Sequence, residues 1–393
     1  MQTERPVIFR WAASSYFGWG VYGLNLMLHW PHPALTGQAI DRVVVNGEDR
    51  QQRIARLIQS SRRLHDRLAA FGGQAVVMET PVFVSYGNDL MRYFAVHGVD
   101  LFGRPSIGFV FLEDTAIDPA NIAAINRLPL VVAGSSWNAD VLSGAGVRNV
   151  SVVLQGVDHE IFYPRPHSSR KTDRFVIFSG GQCSFRKGQD LVLRAFHAFA
   201  QRHPDAILAS AWHSPWPDRS QSFAAVPAIA PPPARADGML DFRGWAARVG
   251  IRANQFEEVG SVPNCDLPRI LADVDVALFP NRGEGGTNLV AMECLASAIP
   301  TILSANTGHL DLIGRTGTFA LTRQRPVTSA IPGFRATVGW GESDIDEIVE
   351  LLEDIYMRRE AAGERARRAS DAMQMLSWQR QIRELYGIVS QFL

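Results

Sequence analysis

The sequence predicts an α/β protein made of two similar domains, each containing a sheet of parallel strands. Its 393 residues exceed the usual length of one domain and fit two. Two stretches, Phe175–Gln201 and Val274–Ser304, begin with an apolar strand, a glycine-rich turn and a helix, and in the second another strand follows. Because a strand, a crossover helix and a further strand form a βαβ unit, this order favours parallel sheets with helices on their faces.

The second stretch contains the strongest candidate for a binding site. Strand Val274–Phe279 precedes a loop, a helix that begins near Thr287, and a strand over Thr301–Ser304. Thr287 or Asn288 is predicted to cap this helix, so the N–H groups of its first turn point into the loop. Glycines in the loop let backbone N–H groups approach a phosphate or a sugar without obstruction by Cβ atoms. These glycines are Gly283, Gly285 and Gly286.

The informative residue of this helix is Glu293. It is the only formally charged residue between Gly285 and Leu310. On a helix it shares a face with Leu289 rather than with a polar stripe. A buried carboxylate needs hydrogen-bond donors, and a pair of ribose hydroxyls would supply them. The alternative is a core helix with one partly exposed glutamate, and the spacing alone leaves both interpretations open.

Composition and charge narrow the classes of function. Lys plus Arg equals Asp plus Glu, 39 each, which argues against bulk binding of nucleic acid. Three widely spaced cysteines without a CxxC pattern fit a reducing compartment and predict no structural zinc. No Asp, Glu, Lys or Arg occurs from Trp11 to Ile40, so a membrane span is a candidate there. Its glycines, prolines and polar residues instead favour a buried strand, a glycine turn and a helix.

These residues resemble the donor-site signature of retaining glycosyltransferases of family 4, which have the GT-B fold. In that family a glutamate precedes a glycine-rich turn, an apolar helix start, a second glutamate, small residues and a proline. The glutamates of the family lie eight positions apart, whereas Glu284 and Glu293 lie nine apart. The matching positions here are Glu284, Gly285–Asn288, Leu289–Met292, Glu293, Ala296–Ala298 and Pro300.

The resemblance implies two Rossmann-like domains that face each other across a cleft, with a C-terminal helix that crosses back to the first domain. The segment Gln155–Pro164 is similar to the family's interdomain segment, and the polar Arg165–Asp173 is predicted to be the linker. We therefore expect an acceptor domain over residues 1–165 and a donor domain over residues 172–372. Residues 373–393 are expected to form the returning helix.

By this resemblance the chain transfers a sugar from a nucleotide-sugar to an acceptor, with retention of the anomeric configuration and without a metal ion or a cofactor. The leaving nucleoside diphosphate develops negative charge that cations must stabilise. Arg186 and Lys187 in the turn Gly180–Gly188 would do so, although a basic surface turn is the alternative. This turn lacks the P-loop pattern, and Gln182 stands where the family has an arginine.

Two residue sets follow from the resemblance. Catalysis is assigned to Glu284, Lys187, Arg186, Glu113 and Asp114. Donor binding is assigned to Gly18, Gly20, Gly181, Gln182, Arg186, Lys187, Glu284, Gly285, Gly286, Thr287, Asn288, Leu289 and Glu293.

In the first domain, Gly18, Gly20 and Gly23 follow the predicted strand Val7–Arg10. Family members have a glycine loop here that faces the cleft, and tight packing beneath a helix is the alternative. The glycines also match GxGxxG, which would indicate a nucleotide-cofactor oxidoreductase. A dinucleotide site needs an acid at the end of the second strand, whereas Asp41 precedes the predicted strand Arg42–Val45.

Polar residues also follow the predicted strand Ile107–Leu112. Many family members carry a histidine there, and Glu113 and Asp114 are the substitutes in this chain, with His97 as a further candidate. Asp273 and Asp275 form an Asp-x-Asp, a metal motif of the other major glycosyltransferase fold. Their position at the start of an apolar strand favours a structural role instead.

The implied partners are a UDP- or GDP-sugar donor and an acceptor that is a glycan, a lipid-linked molecule or a protein. No nucleic acid partner is expected. The expected location is cytoplasmic, and the arginines of Arg50–Arg67 leave open a peripheral contact with the inner membrane face. A non-catalytic GT-B module that binds a nucleotide-sugar or a partner is the alternative, because Gln182 and the missing first-domain histidine depart from the family.

Overall fold

The computed structural model describes residues 6–38, 40, 42–93, 97–165, 174–214, 222–224, 229–327 and 331–393. These residues form two compact units. The first contains the described residues of Met1–Gly156, Pro263–Cys265 and Leu376–Leu393, and the second those of Val157–Val262 and Asp266–Met375. Residues 166–173 of the predicted linker, Asp41 and parts of the 214–236 loop lie outside the described residues. The predicted domain limits therefore stay predictions.

The first unit is built on a parallel sheet. Among the described residues, six strands follow the order β2-β1-β4-β6-β7-β8, and β3 pairs separately with β5. All residues of β1, β4 and β6 are buried, as expected for parallel strands covered on both faces. The strands are β1 (Val7–Phe9), β2 (Ala34–Thr36), β3 (Ala75–Met78), β4 (Val82–Tyr86), β5 (Asp100–Gly103), β6 (Ser106–Val110), β7 (Val131–Ala133) and β8 (Val150–Val152).

Two details of this sheet differ from the sequence prediction. The predicted strand Arg42–Val45 is wrong, because those residues form no strand and β2 lies earlier, at Ala34–Thr36. Strand β4 was not predicted, although it lies between β1 and β6 in the sheet.

The helices of the first unit are α1 (Gly18–His29), α2 (Glu48–Ala69), α3 (Pro119–Ile125), α4 (Ser136–Gly144) and the chain's last helix, Trp378–Val389. The last helix packs on α1, where the rings of Tyr22 and Trp378 stack with centroids 5.2 Å apart. The predicted return of the C-terminal helix to the first unit is thus confirmed. Within the described part of the chain, no helix has the length and apolar character needed to cross a bilayer.

The predicted glycine loop after β1 is wrong in conformation, because Gly18 begins α1 and Gly20 and Gly23 lie inside that helix. A Cβ atom at Gly20 would lie 2.6 Å from Cβ of Ser14. A Cβ atom at Gly23 would lie 2.8 Å from a ring carbon of Phe9. Close packing of α1 against β1 and the segment after it therefore requires these glycines, as the packing alternative expected. A ligand role for Gly18 and Gly20 stays a prediction.

Replacing Gly23 by alanine should lower the free energy of unfolding by about 1–3 kcal/mol, because the added methyl group overpacks the contact with Phe9. Gly387 in the last helix is the matched control, since a Cβ atom there would meet nothing within 4 Å. Gly387→Ala should leave stability unchanged or raise it by about 0.4–1 kcal/mol. Urea unfolding of both variants tests this, and equal effects would contradict it.

The second unit has a parallel sheet of its own. In the described residues its six strands follow the order β11-β10-β9-β12-β13-β14, and the short strands β15 and β16 form an antiparallel pair. The strands are β9 (Phe175–Gln182), β10 (Ala206–His213), β11 (Phe256–Glu258), β12 (Val276–Phe279), β13 (Thr301–Ser304), β14 (Phe319–Leu321), β15 (Gln324–Pro326) and β16 (Gly341–Ser343). The helices are α5 (Gln189–Ala200), α6 (Phe242–Arg248), α7 (Leu267–Leu271), α8 (Leu289–Ala296), α9 (His309–Thr316), α10 (Ile345–Met357) and α11 (Arg359–Met373).

The strand order of the second unit creates a switch point between β9 and β12. From β9 the chain proceeds through β10 to β11 on one side, then returns to place β12 on the other side of β9. In open parallel sheets, ligands bind in the crevice at the carboxyl ends of the strands beside such a reversal. The loops that follow β9 and β12 are therefore the expected location of a site.

Candidate functional site

The loops after β9 and β12 are joined directly by their backbones. The N–H of Arg282 donates to the carbonyl oxygen of Arg186 at 2.7 Å. Gly188 has a positive φ of 70°, and a Cβ atom there would lie 2.3 Å from the carbonyl oxygen of Pro280. Only glycine permits both this backbone conformation and this close approach. The two loops therefore form a single structural element at the switch point.

A buried ion pair fastens this element. Arg282 is fully buried and makes two parallel hydrogen bonds to the carboxylate of Asp190, at 2.7 and 2.6 Å. It also donates to the carbonyl oxygen of Phe185 at 2.8 Å and to Glu342 at 2.8 Å. Burial alone would lower the pKa of Arg282, but the carboxylates of Asp190 and Glu342 raise it above its ordinary value. No sequence motif had pointed to a role for Arg282 or Asp190.

The carboxylate of Glu284 holds the two predicted cations. Its Oε2 atom accepts from Lys187 Nζ at 2.5 Å, Arg186 Nη1 at 3.2 Å and Asn281 Nδ2 at 2.8 Å. Burial would raise the pKa of Glu284, but the charges of Lys187 and Arg186 outweigh it and lower the pKa to about 2. The structure thus brings together Arg186, Lys187 and Glu284, which were predicted to share one site. In the chain, Glu284 is 98 residues from Arg186 and 97 residues from Lys187.

A buried histidine supports the same loop. The hydroxyl of Ser304 donates to the carbonyl oxygen of Asn281 at 2.6 Å, so it accepts from Nδ1 of His309 at 3.1 Å. The Nε2 atom of His309 then accepts from the side-chain amide of Asn288 at 3.2 Å. Burial lowers the pKa of His309 to about 4, so the ring is neutral near pH 7. No sequence motif had pointed to His309 as part of the site.

The titration of His309 should be visible in the stability of the protein. Its pKa is about 4 in the folded chain and ordinarily 6.5, so the unfolded chain binds this proton more readily between these pH values. The contribution of His309 to the free energy of unfolding is thus complete above pH 6.5 and falls by about 3 kcal/mol as the pH drops to 4. His309→Gln should flatten this part of the pH profile in urea unfolding. An unchanged slope would contradict the prediction.

The glycine-rich segment leads from Glu284 into α8. Asn288 has a φ of 65°, and its side-chain oxygen accepts from the N–H of Ala291, so Asn288 caps α8 as one of the two predicted residues. The helix begins at Leu289, two residues after the predicted start. Gly308 lies against this segment, where a Cβ atom would be 1.8 Å from the carbonyl oxygen of Gly286. Glu293 is 4% exposed within α8, so it is a buried carboxylate and not a surface residue.

Gly181 and Gln182 end strand β9. Gly181 has a φ of 117°, a conformation that favours glycine. The carbonyl oxygen of Gln182 accepts from the side chain of Gln189 at 2.9 Å, which closes the turn before α5. The side-chain Nε2 of Gln182 is buried and has no hydrogen-bond partner among the described residues. Strand β9 therefore ends in a buried neutral amide.

Two candidate residues of the first unit, Glu113 and Asp114, follow β6. The backbone N–H groups of Glu113 and Asp114 both donate to the side chain of Asn88, at 2.7 and 3.0 Å. The carboxylate of Asp114 is buried and accepts from the N–H of Ala116, which gives it a role in a turn. His97 packs its ring against that of His65, with centroids 4.0 Å apart. The structure does not test the catalytic roles predicted for Glu113 and Asp114.

The Asp-x-Asp pair lies away from the site, before β12. The carboxylate of Asp275 accepts from the N–H of Val176 at 2.7 Å and so joins two strands. This contact agrees with the structural interpretation of Asp273 and Asp275. In the residues that the structure describes, no group of three or more His, Cys, Asp or Glu side chains could hold a metal ion.

Comparison with known proteins finds a family model that matches part of the second unit and solved structures that share the fold. Residues 244–385 match the family described as Family 4 Glycosyltransferase in conflict systems. The matched range includes Arg282, Glu284, Glu293 and His309, whereas Arg186 and Lys187 precede it. The curated proteins contain no match to the chain.

Solved structures resemble nearly the whole chain. Sucrose-phosphate synthase from Thermosynechococcus elongatus is 12% identical, with a TM-score of 0.63 and 98% of each chain covered. HepE from Anabaena, solved with UDP and glucose, is 14% identical, with a TM-score of 0.64 over 98% of this chain and 100% of its own. Trehalose-6-phosphate synthase from E. coli, bound with UDP-2-fluoro glucose, is 14% identical, with a TM-score of 0.62 and 99% of each chain covered. These likenesses confirm the predicted fold.

Proposed function

We propose that this chain, which has the GT-B fold and matches the family 4 glycosyltransferases over residues 244–385, transfers a sugar from a nucleotide-sugar to an acceptor. One observation carries the proposal: Lys187 and Arg186 are held together by Glu284 at the switch point of the second sheet. Two buried or nearly buried cations and one carboxylate leave a net positive charge where a sheet of this type binds ligands. A nucleoside diphosphate is the leaving group that such a charge would stabilise.

Each residue of the site has a proposed role. Lys187 and Arg186 stabilise the negative charge that develops on the diphosphate. The first-turn N–H groups of α8, together with the segment Gly285–Asn288, bind phosphate and sugar oxygens. Glu293, a buried carboxylate in α8, accepts hydrogen bonds from the ribose hydroxyls. Glu284 orients both cations through Oε2 and faces the sugar.

We further propose that the reaction retains the anomeric configuration and needs no metal ion. Retention rests on the resemblance to family 4. Metal independence rests on the paired cations Lys187 and Arg186, which supply charge where a divalent ion would otherwise act. A UDP-sugar is the first donor to test, because related structures were solved with UDP or UDP-sugars, and a GDP-sugar is the second.

The proposal is tested by donor binding and turnover. Whichever of UDP, GDP and ADP binds to the site should add about 2.7 kcal/mol to the free energy of unfolding when it is present at about 100 times its dissociation constant. One nucleotide should shift the melting temperature equally with and without EDTA. The corresponding nucleotide-sugar should then be hydrolysed or transferred. Proton NMR should show that the sugar product first formed has the same anomeric configuration as the donor. No shift with any nucleotide, or a shift only with NAD(P), would overturn the proposal.

A binding module without turnover is the second candidate, and Gln182 favours it. With a neutral amide in place of the family's arginine, the cluster of Arg186, Lys187 and Glu284 keeps one net positive charge. Donor affinity without hydrolysis or transfer would support this candidate. Gln182→Arg would then be expected to raise nucleotide affinity.

The acceptor and the location also remain proposals. A glycan, a lipid-linked molecule and a protein are the acceptor classes to screen, and the proposed location is the cytoplasm. Helix α2 carries several exposed arginines, a feature that favours a peripheral contact with anionic lipid. These arginines are Arg56, Arg62, Arg63 and Arg67. Flotation with anionic and neutral vesicles tests this contact.

A further inference from the structure

A cavity lies in the second unit, at the edge of the sheet where the strands begin. Its walls include Phe175, the first residue of β9, Asp275, which precedes β12, and Pro300, which precedes β13. The candidate donor site lies where the same strands end. Because a strand advances about 3.3 Å per residue, the four residues of β12 separate the two places by about 13 Å. The cavity has a volume of about 150 Å³ and is not part of the donor site.

The floor of the cavity is apolar. It is formed by side chains that are themselves buried in the core of the unit, with exposures of 0–4%. These residues are Phe175, Leu271, Ile299 and Ile355. Tyr163 stands at the side with 43% of its surface exposed. Ligand sites combine such an apolar surface with a few polar groups that fix orientation.

The rim of the cavity is cationic. Arg165 lies over the ring of Tyr163 at 4.5 Å and donates to the carbonyl oxygen of Ile161. Arg359 approaches Asp275 only to 3.8 Å, which is too long for a hydrogen bond. The side chain of Arg367 has no hydrogen bond or ion pair among the described residues. Three guanidinium groups thus line the cavity beside one carboxylate.

Small residues in its wall keep the cavity open. Gly363 belongs to its wall, and a Cβ atom there would meet only the guanidinium of Arg367, at 4.0 Å. A larger residue at this position would have room to enter the cavity. Ala298, in the turn after α8, is similarly small and has a positive φ of 56°.

We propose that this cavity binds a phosphate monoester with an aromatic or apolar body. A phosphate group offers three terminal oxygens, and arginine forks bind such oxygens in pairs. The rim of Arg165, Arg359 and Arg367 suits the phosphate, while the apolar floor suits the body of the ligand. The single carboxylate of Asp275 offsets the charge of one of the three arginines, so the lining of the cavity keeps a net positive charge.

Phenyl phosphate is the probe, with inorganic phosphate and phenol as partial ligands. Isothermal titration of the full chain should show phenyl phosphate binding at least tenfold more tightly than either partial ligand, because only it contacts both rim and floor. Arg367→Ala should raise its dissociation constant at least tenfold, and Gly363→Phe should abolish binding by filling the cavity. Arg368→Ala, an exposed neighbour on α11 outside the cavity, is the matched control and should bind like the wild type.

The donor site also contains cations, so its contribution to phenyl phosphate binding must be measured separately. Lys187→Ala should leave phenyl phosphate binding unchanged, and binding should persist when UDP is present in excess. Loss of binding in Lys187→Ala with retention in Arg367→Ala would overturn the proposal, because the probe would then occupy the donor site. Absence of phenyl phosphate binding to the wild type would also overturn the proposal. It would indicate that the arginines only offset the partial negative charges at the C-terminal ends of α7 and α8.

Discussion

Replacing Lys187 by alanine is expected to reduce the rate of sugar transfer, or of donor hydrolysis, by about 10²–10³-fold. The Nζ atom of Lys187 lies 2.5 Å from Glu284 and is positioned by a buried loop, so it adds fixed positive charge where the diphosphate leaves. Loss of one such preorganised charge typically costs two to three orders of magnitude in rate. Initial rates at saturating donor would measure the effect.

Two variants make this result interpretable. Lys187→Arg keeps a cation in the loop and should recover part of the lost rate. Arg269→Ala removes an exposed cation of α7 and should leave the rate unchanged. Lys187→Ala itself should stay folded, because Arg186 and Asn281 still donate to Glu284. A folded Lys187→Ala protein with wild-type turnover would refute the assigned role.

Replacing Arg282 by methionine is expected to lower the free energy of unfolding by about 3–5 kcal/mol. Arg282 and Asp190 are both fully buried, so the substitution leaves the Asp190 carboxylate without its cation in the interior. Arg282 also holds the carbonyl oxygen of Phe185, so the loop that carries Arg186 and Lys187 should loosen. Urea unfolding would measure the loss, and donor affinity should fall with it.

An exposed ion pair provides the comparison. Arg104 and Glu79 are also 2.7 Å apart, but their side chains are 67% and 78% exposed. Arg104→Met should therefore cost less than about 1 kcal/mol. In a double variant, Asp190→Leu should restore part of the stability lost in Arg282→Met, because no buried charge remains unpaired. Additive losses in the double variant would show that the two residues do not act as a pair.

Local sequence patterns were sufficient for the elements on either side of the site. The predicted strand Thr301–Ser304 agrees with β13 at both ends, and the predicted turn Gly180–Gly188 ends directly before α5. The sequence also predicted that Arg186, Lys187 and Glu284 share one site, and the structure brings their side chains together. Each lies in a glycine-rich turn after an apolar strand, and the carboxyl ends of parallel strands meet at one edge of a sheet.

Patterns failed where burial or packing overrides local preference. The glycines of the first unit suggested a loop, yet Gly20 and Gly23 lie in a helix because the core beneath it leaves no space for a Cβ atom. Strand β4 was also missed, and its place between β1 and β6 is evident only from the sheet.

The sequence by itself determined the fold class, the order of the main elements of the second unit and the chemical types of residue that meet at its switch point. Only the tertiary structure decided how those residues are supported. Arg282 pairs with Asp190 across 92 positions, and His309 meets Asn288 across 21. Such pairings depend on which loops the strand order brings together, and no local spacing records that order. For the same reason the cationic cavity at the opposite edge, assembled from four separate parts of the chain, was visible only in the structure.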